Sequence, residues 1–262
     1  FNEVLADAQK LGYAETPPDL DIDGIDTAHK SIILASMICG TMLPMESCFV
    51  SGIRDISKID IKNSIELGYI IKLLALIKKN NNEVEISVEP TLVPEKHLIS
   101  SVKDSFNAVF IEGDIVGETM FYGRGAGKLP TGSAVIADIV DAAKDVINNK
   151  GISSTVNIMI QNKVINFKLY ENVRKRCYIR LLLDDLPGSM ASVMKIFADN
   201  RINIASVLQK EHHQNGKVPV VILTENSIEK DYDIALNEIN KLEISHEFPI
   251  RFRIEDFDNE SC

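Results

Sequence analysis

The chain has 262 residues, 45% of them hydrophobic and 25% charged, with 14 Gly and 9 Pro: the composition of a soluble globular protein with room for two domains. A formal net charge of −10, with no basic stripe to offset it, argues against a nucleic-acid partner. No apolar run reaches the ~18 residues that span a bilayer, and Phe-Asn-Glu-Val at the start lacks the basic and apolar regions of a signal peptide, so it reads as a cut end.

Residues 1 to 149 mix helices and strands. A short amphipathic helix is expected over Phe1–Leu11, stopping at Gly12. Thr16–Gly24, with Pro17, Pro18 and several acids, reads as a loop. A helix follows from about Asp26, as N-cap, to Gly40. Asp60 is expected to cap a second helix in which Ile61, Ile65, Tyr69, Leu73 and Ile77 recur at helical spacing, with Lys78 and Lys79 at the negative end of its dipole. Val84, Ile86 and Val88 alternate as in a half-buried strand. Phe106–Glu112 and Ile115–Tyr122 read as two strands turning at Gly113-Asp114. After glycines 123, 125 and 127, Pro130 and Thr131 open a helix with Ile136, Ile139, Val140, Ala143 and Ile147 on one face.

Residues 150 to 175 read as a linker, with a hairpin possible at 155–169. A second domain over 176–256 shows strand (177–184), helix (188–200), strand (202–210), strand (217–224), helix (228–242) and strand (248–254). Met190, Val193, Met194 and Phe197 share one helical face, and Phe248, Ile250, Phe252 and Ile254 alternate along the last strand. This βαββαβ order is ferredoxin-like. The fold class expected is α+β, a mixed sheet with helices followed by that module. Cys39, Cys48, Cys177 and Cys262 lack metal-ligand spacing and read as free thiols of a reducing cytoplasm; no metal site is expected, and none of the histidines is read as a ligand.

Three stretches could carry chemistry. Asp19, Asp21, Asp23 and Asp26 place four carboxylates in eight residues, which repel unless a cation lies close. Asp26 and Lys30, four apart, share a helix face. They could be a surface ion pair, worth at most ~1 kcal/mol, or part of a polar pocket in which Lys30 exchanges a proton. Tyr122-Gly-Arg-Gly-Ala-Gly127, between strand and helix, could be a tight turn or an anion site at a helix N-terminus. Its spacing is not that of a dinucleotide fingerprint. Asp185-Leu-Pro-Gly188 could likewise open a helix toward a carboxylate.

Residues 11–30, LGYAETPPDLDIDGIDTAHK, resemble the signature of homoserine dehydrogenases, with Leu11, Gly12, Tyr13, Ala14, Glu15, Asp21, Gly24, Asp26 and Lys30 at its fixed positions. The departure is Pro17, where Asp is common. The resemblance implies Lys30 as the proton-transfer lysine, Glu15 and Asp26 as homoserine ligands, and Tyr13 and Asp21 in the same pocket. Gly-Arg-Gly-Ala-Gly127 with Pro130, Thr131, Ser133, Ala134 and Val135 is similar to a second signature of that family, apart from Gly132. It implies that Gly125, Ala126 and Gly127 let backbone approach the nicotinamide of NAD or NADP. Gly52-Ile53, Glu66-Leu-Gly-Tyr69, Val88-x-Pro90 and Asn107-Ala-Val109 fall in family order.

Asp185-Leu-Pro-Gly-Ser-Met-Ala191, with Asn203, Ile204 and Gln209, resembles an ACT domain, departing at Ser189-Met190, where Val-Leu is frequent. By position Gly188, Asn203 and Gln209 are the candidate effector contacts, and the family implies L-threonine as effector. The reading that follows is an NAD(P)-dependent interconversion of L-homoserine and L-aspartate 4-semialdehyde, in a dimer or dimer of dimers. No Gly-x-Gly-x-x-Gly in a βαβ unit precedes these motifs. The nucleotide-binding domain, with the family's second lysine and its monovalent-cation site, is therefore expected outside this chain, and the chain alone is expected to be inactive. The alternative is a non-catalytic, amino-acid-binding regulatory dimer.

Overall fold

From Tyr69 to Ile77 nearly every residue is apolar, so periodicity cannot separate a helix from a strand buried on both faces. The structure, a computed structural model that describes residues 2–10, 16–125, 127–148, 164–209 and 216–257, makes it a strand. Helix α4 (Lys58–Glu66) is capped by Ser57, and Asp60 is not the cap but the third helical residue of a capping box. It ends before Gly68, whose φ of 84° no helix continues. Strand β2 (Tyr69–Asn80) then pairs antiparallel along its whole length with β3 (Glu83–Pro94). Lys78 therefore does not close a helix; it pairs with Glu255.

The remaining differences are local. Helix α1 (Asn2–Lys10) forms as expected; the stop expected at Leu11 and Gly12 lies outside the described residues. The 16–24 loop contains a single-turn helix, α2 (Asp19–Ile22). Helix α3 (Ile25–Cys39) ends at Gly40 as predicted, but its N-cap is Gly24 at φ 79°, so Asp26 lies inside the first turn. Strands β4 (Phe106–Gly113) and β5 (Gly117–Arg124) form the expected hairpin around the three residues 114–116, closed by Gly117 at φ 70°. Helix α5 (Lys128–Ile147) forms, and no residue of it is buried. Of the possible hairpin at 155–169, residues 155–163 lie outside the described residues; β6 (Asn166–Phe167) pairs with β3.

The second region follows the predicted order: β7 (Arg174–Asp184), α6 (Ser189–Asp199), β8 (Ile204–Gln209), β9 (Lys217–Thr224), a short β10 (Ser227–Ile228), α7 (Glu229–Asn240) and β11 (Ile250–Ile254). Its strands lie in the order β11-β7-β9-β8. Val193 and Phe197 of α6 and Tyr232, Ala235 and Ile239 of α7 are buried against Ile179, Leu181, Val220 and Ile222 of the sheet. The opposite face is closed too: Tyr178, Leu223 and Phe252 pack with Leu92, Tyr69, Ile71 and Leu67 of the first region.

Strand β3 joins the two regions. One of its edges belongs to β2. The other is shared by three strands in turn: β6 at Glu83–Val84, β1 (Phe49–Val50) at Ser87–Val88 and β11 at Thr91–Leu92, all parallel. Its side chains alternate. Val84, Ile86 and Val88 pack with Ala28, Ala35 and Cys39 of α3, while Glu85 and Glu89 point away from that core into a buried polar layer. The sheet is thus continuous from the first region into the second. The described cysteines, Cys39, Cys48 and Cys177, are free and buried, and burial pushes the Cys177 thiol up to about 12. No described helix is long and apolar enough to cross a membrane.

Candidate functional site

The acidic segment is held by a loop rather than by its own helix. Gly24 packs against Val88 and Val50: a Cβ there would come within 3.2 Å of Val88 Cγ1. Ser51 N–H donates to the Val88 carbonyl at 2.7 Å, which fixes the loop that follows β1. Gly52 then meets the turn end-on; a Cβ at 52 would sit 2.3 Å from the Ile22 carbonyl oxygen and 2.6 Å from Asp23 Cα. Only glycine permits this backbone approach.

Two residues further, Arg54 supplies the missing cation. Its guanidinium donates to Asp23 at 2.5 and 2.9 Å and to Asp19 at 2.6 Å. Hydrogen bonding to Arg54 holds the Asp23 carboxyl below the usual carboxylate range. Sequence reasoning demanded a cation here without naming it. Arg54 is the sole Lys or Arg between Lys30 and Lys58, and that was the available signal.

On α3, Lys30 Nζ meets Asp26 Oδ2 at 2.5 Å, with side chains 68% and 44% exposed respectively. Asp21 lies on α2, partly buried, one turn before them. Tyr13 and Glu15 lie outside the described residues, as does Ala126. The pair that the structure does place is open to solvent on one side and backed by the α3 core on the other. A lysine beside a carboxylate on a rigid helix can pass a proton to and from a bound hydroxyl, once a ligand covers it.

The glycine-rich turn presents backbone. Gly127, at φ 119°, is the N-cap of α5 and carries no side-chain cap. At Gly125 the Cβ position is taken by Asn107 of β4, whose amide nitrogen would be 1.5 Å away. Glycine is thus required at 125 by Asn107 and at 127 by the positive φ, and the N-terminus of α5 is left without a side-chain cap.

In the second region, Gly188 at φ 98° is the N-cap of α6. Next to it the Ser189 hydroxyl is buried without a hydrogen-bond partner. Asn203 precedes β8 and Gln209 ends it, both exposed, on the outer strand of the sheet. Because β7 and β8 both pair antiparallel with β9, they run the same way. Gly188 and Gln209 therefore lie at one end of the module, with Asn203 about 20 Å away at the other by strand rise. One small ligand in a single copy can touch the first two, not all three. A cleft of about 250 Å³ lies between α4 and the open part of the sheet, lined by Lys62, Arg180, Leu208, Lys217 and Glu247.

Strand order β11-β7-β9-β8 with two helices on one face is the ferredoxin-like arrangement. Fused to an α+β unit with a helix-borne Lys-Asp pair, it defines a two-part chain with a small ferredoxin-like module at its C-terminal side. A model of the homoserine dehydrogenase family matches residues 1–140, and one of the ACT domain matches residues 178–244. The chain belongs to the homoserine dehydrogenase family. It is 36% identical over 261 residues to the homoserine dehydrogenase of Pseudomonas aeruginosa, covering 97% of this chain and 59% of that one. With the homoserine dehydrogenase of Helicobacter pylori it shares 38% identity, over 97% of this chain and 59% of the relative. The crystal structure of a homoserine dehydrogenase from Thiobacillus denitrificans superposes with a TM-score of 0.82 at 37% identity, covering 97% of this chain and 58% of that one. The chain thus spans somewhat under two thirds of the length of these relatives.

Proposed function

We propose that, within the complete protein, this chain carries the substrate half of an NAD- or NADP-dependent interconversion of L-homoserine and L-aspartate 4-semialdehyde. The observation that carries the reading is the Asp26–Lys30 pair, held on α3 behind a Gly52–Arg54 clamp that fixes the acidic segment beside it. Lys30 takes the hydroxyl proton of homoserine and returns it to the aldehyde oxygen. Asp26 orients Lys30 and, with Glu15, holds the substrate ammonium; Tyr13 and Asp21 complete the pocket. Hydride chemistry is the nicotinamide's own. By family resemblance Gly125, Ala126 and Gly127 would lie against it, while most of the nucleotide, and any monovalent cation, would be held elsewhere in the complete protein.

The ACT module would sense an amino acid, L-threonine by family resemblance. The buried, unpartnered Ser189 hydroxyl beside Gly188 supports a ligand at that end of the module. Asn203, at the far end of β8, would reach an effector only across a pairing of two copies, which fits a dimer or dimer of dimers.

The test is homoserine-dependent reduction of NADP and NAD by the complete protein. Lys30→Ala is expected to lower kcat by ~100- to 10,000-fold, the usual worth of a positioned acid–base group. Residues 1–262 alone are expected to show no turnover, since the pair is exposed and no dinucleotide fingerprint accompanies it. No activity from a complete, folded, cofactor-binding protein would leave the amino-acid-binding regulatory dimer as the better account.

A further inference from the structure

The most heavily charged part of the interior lies where β3 passes from β1 to β11. Lys175 Nζ, on β7, sits 2.7 Å from Glu89 Oε2 of β3 and 3.2 Å from Glu229 Oε2 of α7, and also donates to the Tyr170 hydroxyl. Tyr170 in turn donates to Glu89 at 2.9 Å. Glu229 pairs on its other oxygen with Arg251. The Lys175 and Glu229 side chains are 2% and 0% exposed. Removing several charges from water costs several kcal/mol per ion, and an apolar layer of equal volume is commonly as stable. Stability alone therefore does not account for the cluster.

Its geometry does suggest a use. Glu229 is held by proximity of charge, because neither of its oxygens makes an oriented hydrogen bond. Lys175 thus stands between a well-bonded carboxylate on the first region and a loosely bonded one on the second. A shift of α7 changes how the ammonium divides between them. From Lys175 a contiguous set of contacts leads to the substrate segment. Tyr170 stacks on Phe49 of β1 with ring centroids 3.4 Å apart and planes 6° from parallel. Two residues on, Ser51 is bonded to Val88, the neighbour of Glu89, and Gly52 abuts Ile22 and Asp23. Arg54 of the same loop holds Asp19 and Asp23, and Gly24 opens the helix that bears Asp26 and Lys30.

We propose that Lys175, held between Glu89 and Glu229, is a positioning residue through which the ACT module sets the placement of the Asp19–Lys30 segment and hence its affinity for a small amino-acid substrate. The proposal rests on the function read above and names the device that would couple its two halves. Energetic coupling of this kind runs through packed rings, hydrogen bonds and ion pairs that have two arrangements.

The experiment uses the complete protein with Lys175→Met, Glu89→Gln, their double variant, and Lys195→Met as a control on the exposed face of α6. Each is assayed for homoserine KM, kcat, NADP KM, the L-threonine concentration for half-inhibition and melting temperature. The expected result is a rise in homoserine KM of roughly 3- to 30-fold in each single variant, the usual range of such coupling, with NADP KM unchanged. The double variant, which leaves no unpaired buried charge, should recover part of that KM. A lowered melting temperature with homoserine KM and threonine response both at parental values would overturn the proposal and leave the cluster structural. If a variant does not fold, Lys175→Arg, which keeps the charge, replaces it under the same criteria. Turnover by the parent, with homoserine KM and threonine response unchanged in the variants, sinks only the positioning role. A parent that neither turns over nor binds homoserine by calorimetry sinks the activity and, with it, this inference.

Discussion

The Asp26–Lys30 pair and the Lys175–Glu89–Glu229 cluster both set a lysine against carboxylates, in opposite surroundings. The first is a pair at 2.5 Å, four residues apart on one helix and largely in water. The second joins β3, β7 and α7, residues far apart in sequence, with almost no exposure. In water an ion pair contributes little and tolerates replacement, so its charges are available for chemistry. Buried, the same charges cost much to desolvate, and removal of one partner strands the other. Exposed pairs can therefore be chosen by function, whereas buried ones constrain how elements sit.

That contrast can be broken in order of expected effect. Arg253, fully buried between Glu85 and Glu255, should be the most damaging to lose. Arg253→Ala is expected to cost ~3–5 kcal/mol of stability, because it empties a fully buried site and leaves Glu85 with only Lys168, 3.9 Å away; a denaturant midpoint within error of the parent would erase the distinction drawn here.

Gly52→Ala comes next, at ~1–3 kcal/mol for forcing a Cβ against the Ile22 carbonyl. Its signature is a higher homoserine KM as the Arg54 clamp moves off Asp19 and Asp23. An unchanged KM with a lowered melting temperature would mean that the clamp does not position the segment.

A third test uses pH. Burial raises the Glu89 carboxyl, but Lys175 and Arg253 more than offset this, so its folded value lies below the ordinary one. The folded state then binds fewer protons than the unfolded state, and stability rises with pH across that window. The contribution is fully present above the ordinary glutamate value of ~4.3 and is lost as pH falls through the lower folded value. Acid unfolding of Glu89→Gln should be shallower there than that of the parent; parallel curves would contradict the assignment.

The smallest effect is the sharpest contrast. Lys30→Ala should change stability by less than ~0.5 kcal/mol, the worth of an exposed i,i+4 pair, while lowering kcat by ~100- to 10,000-fold. Thermal melts beside kinetics on one preparation decide it, and a large destabilisation would argue that Lys30 is structural.

The ACT module was the most legible part. Its helices carry clean faces, such as Val193 with Phe197 and Tyr232 with Ile239, and its last strand alternates, so local periodicity and tertiary burial agree. The Asp26–Lys30 pair was legible as well, because helical spacing alone puts both on one face. Tyr69–Ile77 was misread because an apolar run fits either period; twelve cross-strand pairs with β3 decided for a strand. The apolar face predicted on α5 forms but is exposed: Ile136, Ile139 and Ile147 are 63%, 62% and 79% accessible. Periodicity reports an amphipathic helix, not what covers it.

By itself the sequence determined the α+β class, the order of the ACT elements, the helix-borne Lys30–Asp26 pair and the need for a cation near four clustered carboxylates. All of these follow from spacing within one element or from charges close along the chain. Tertiary structure alone decided that Arg54 is that cation, that β3 shares one edge among β6, β1 and β11, and that Lys175 bridges Glu89 and Glu229. Those contacts join residues tens to more than a hundred positions apart, where only the packing of whole elements, and no local period, brings the partners together.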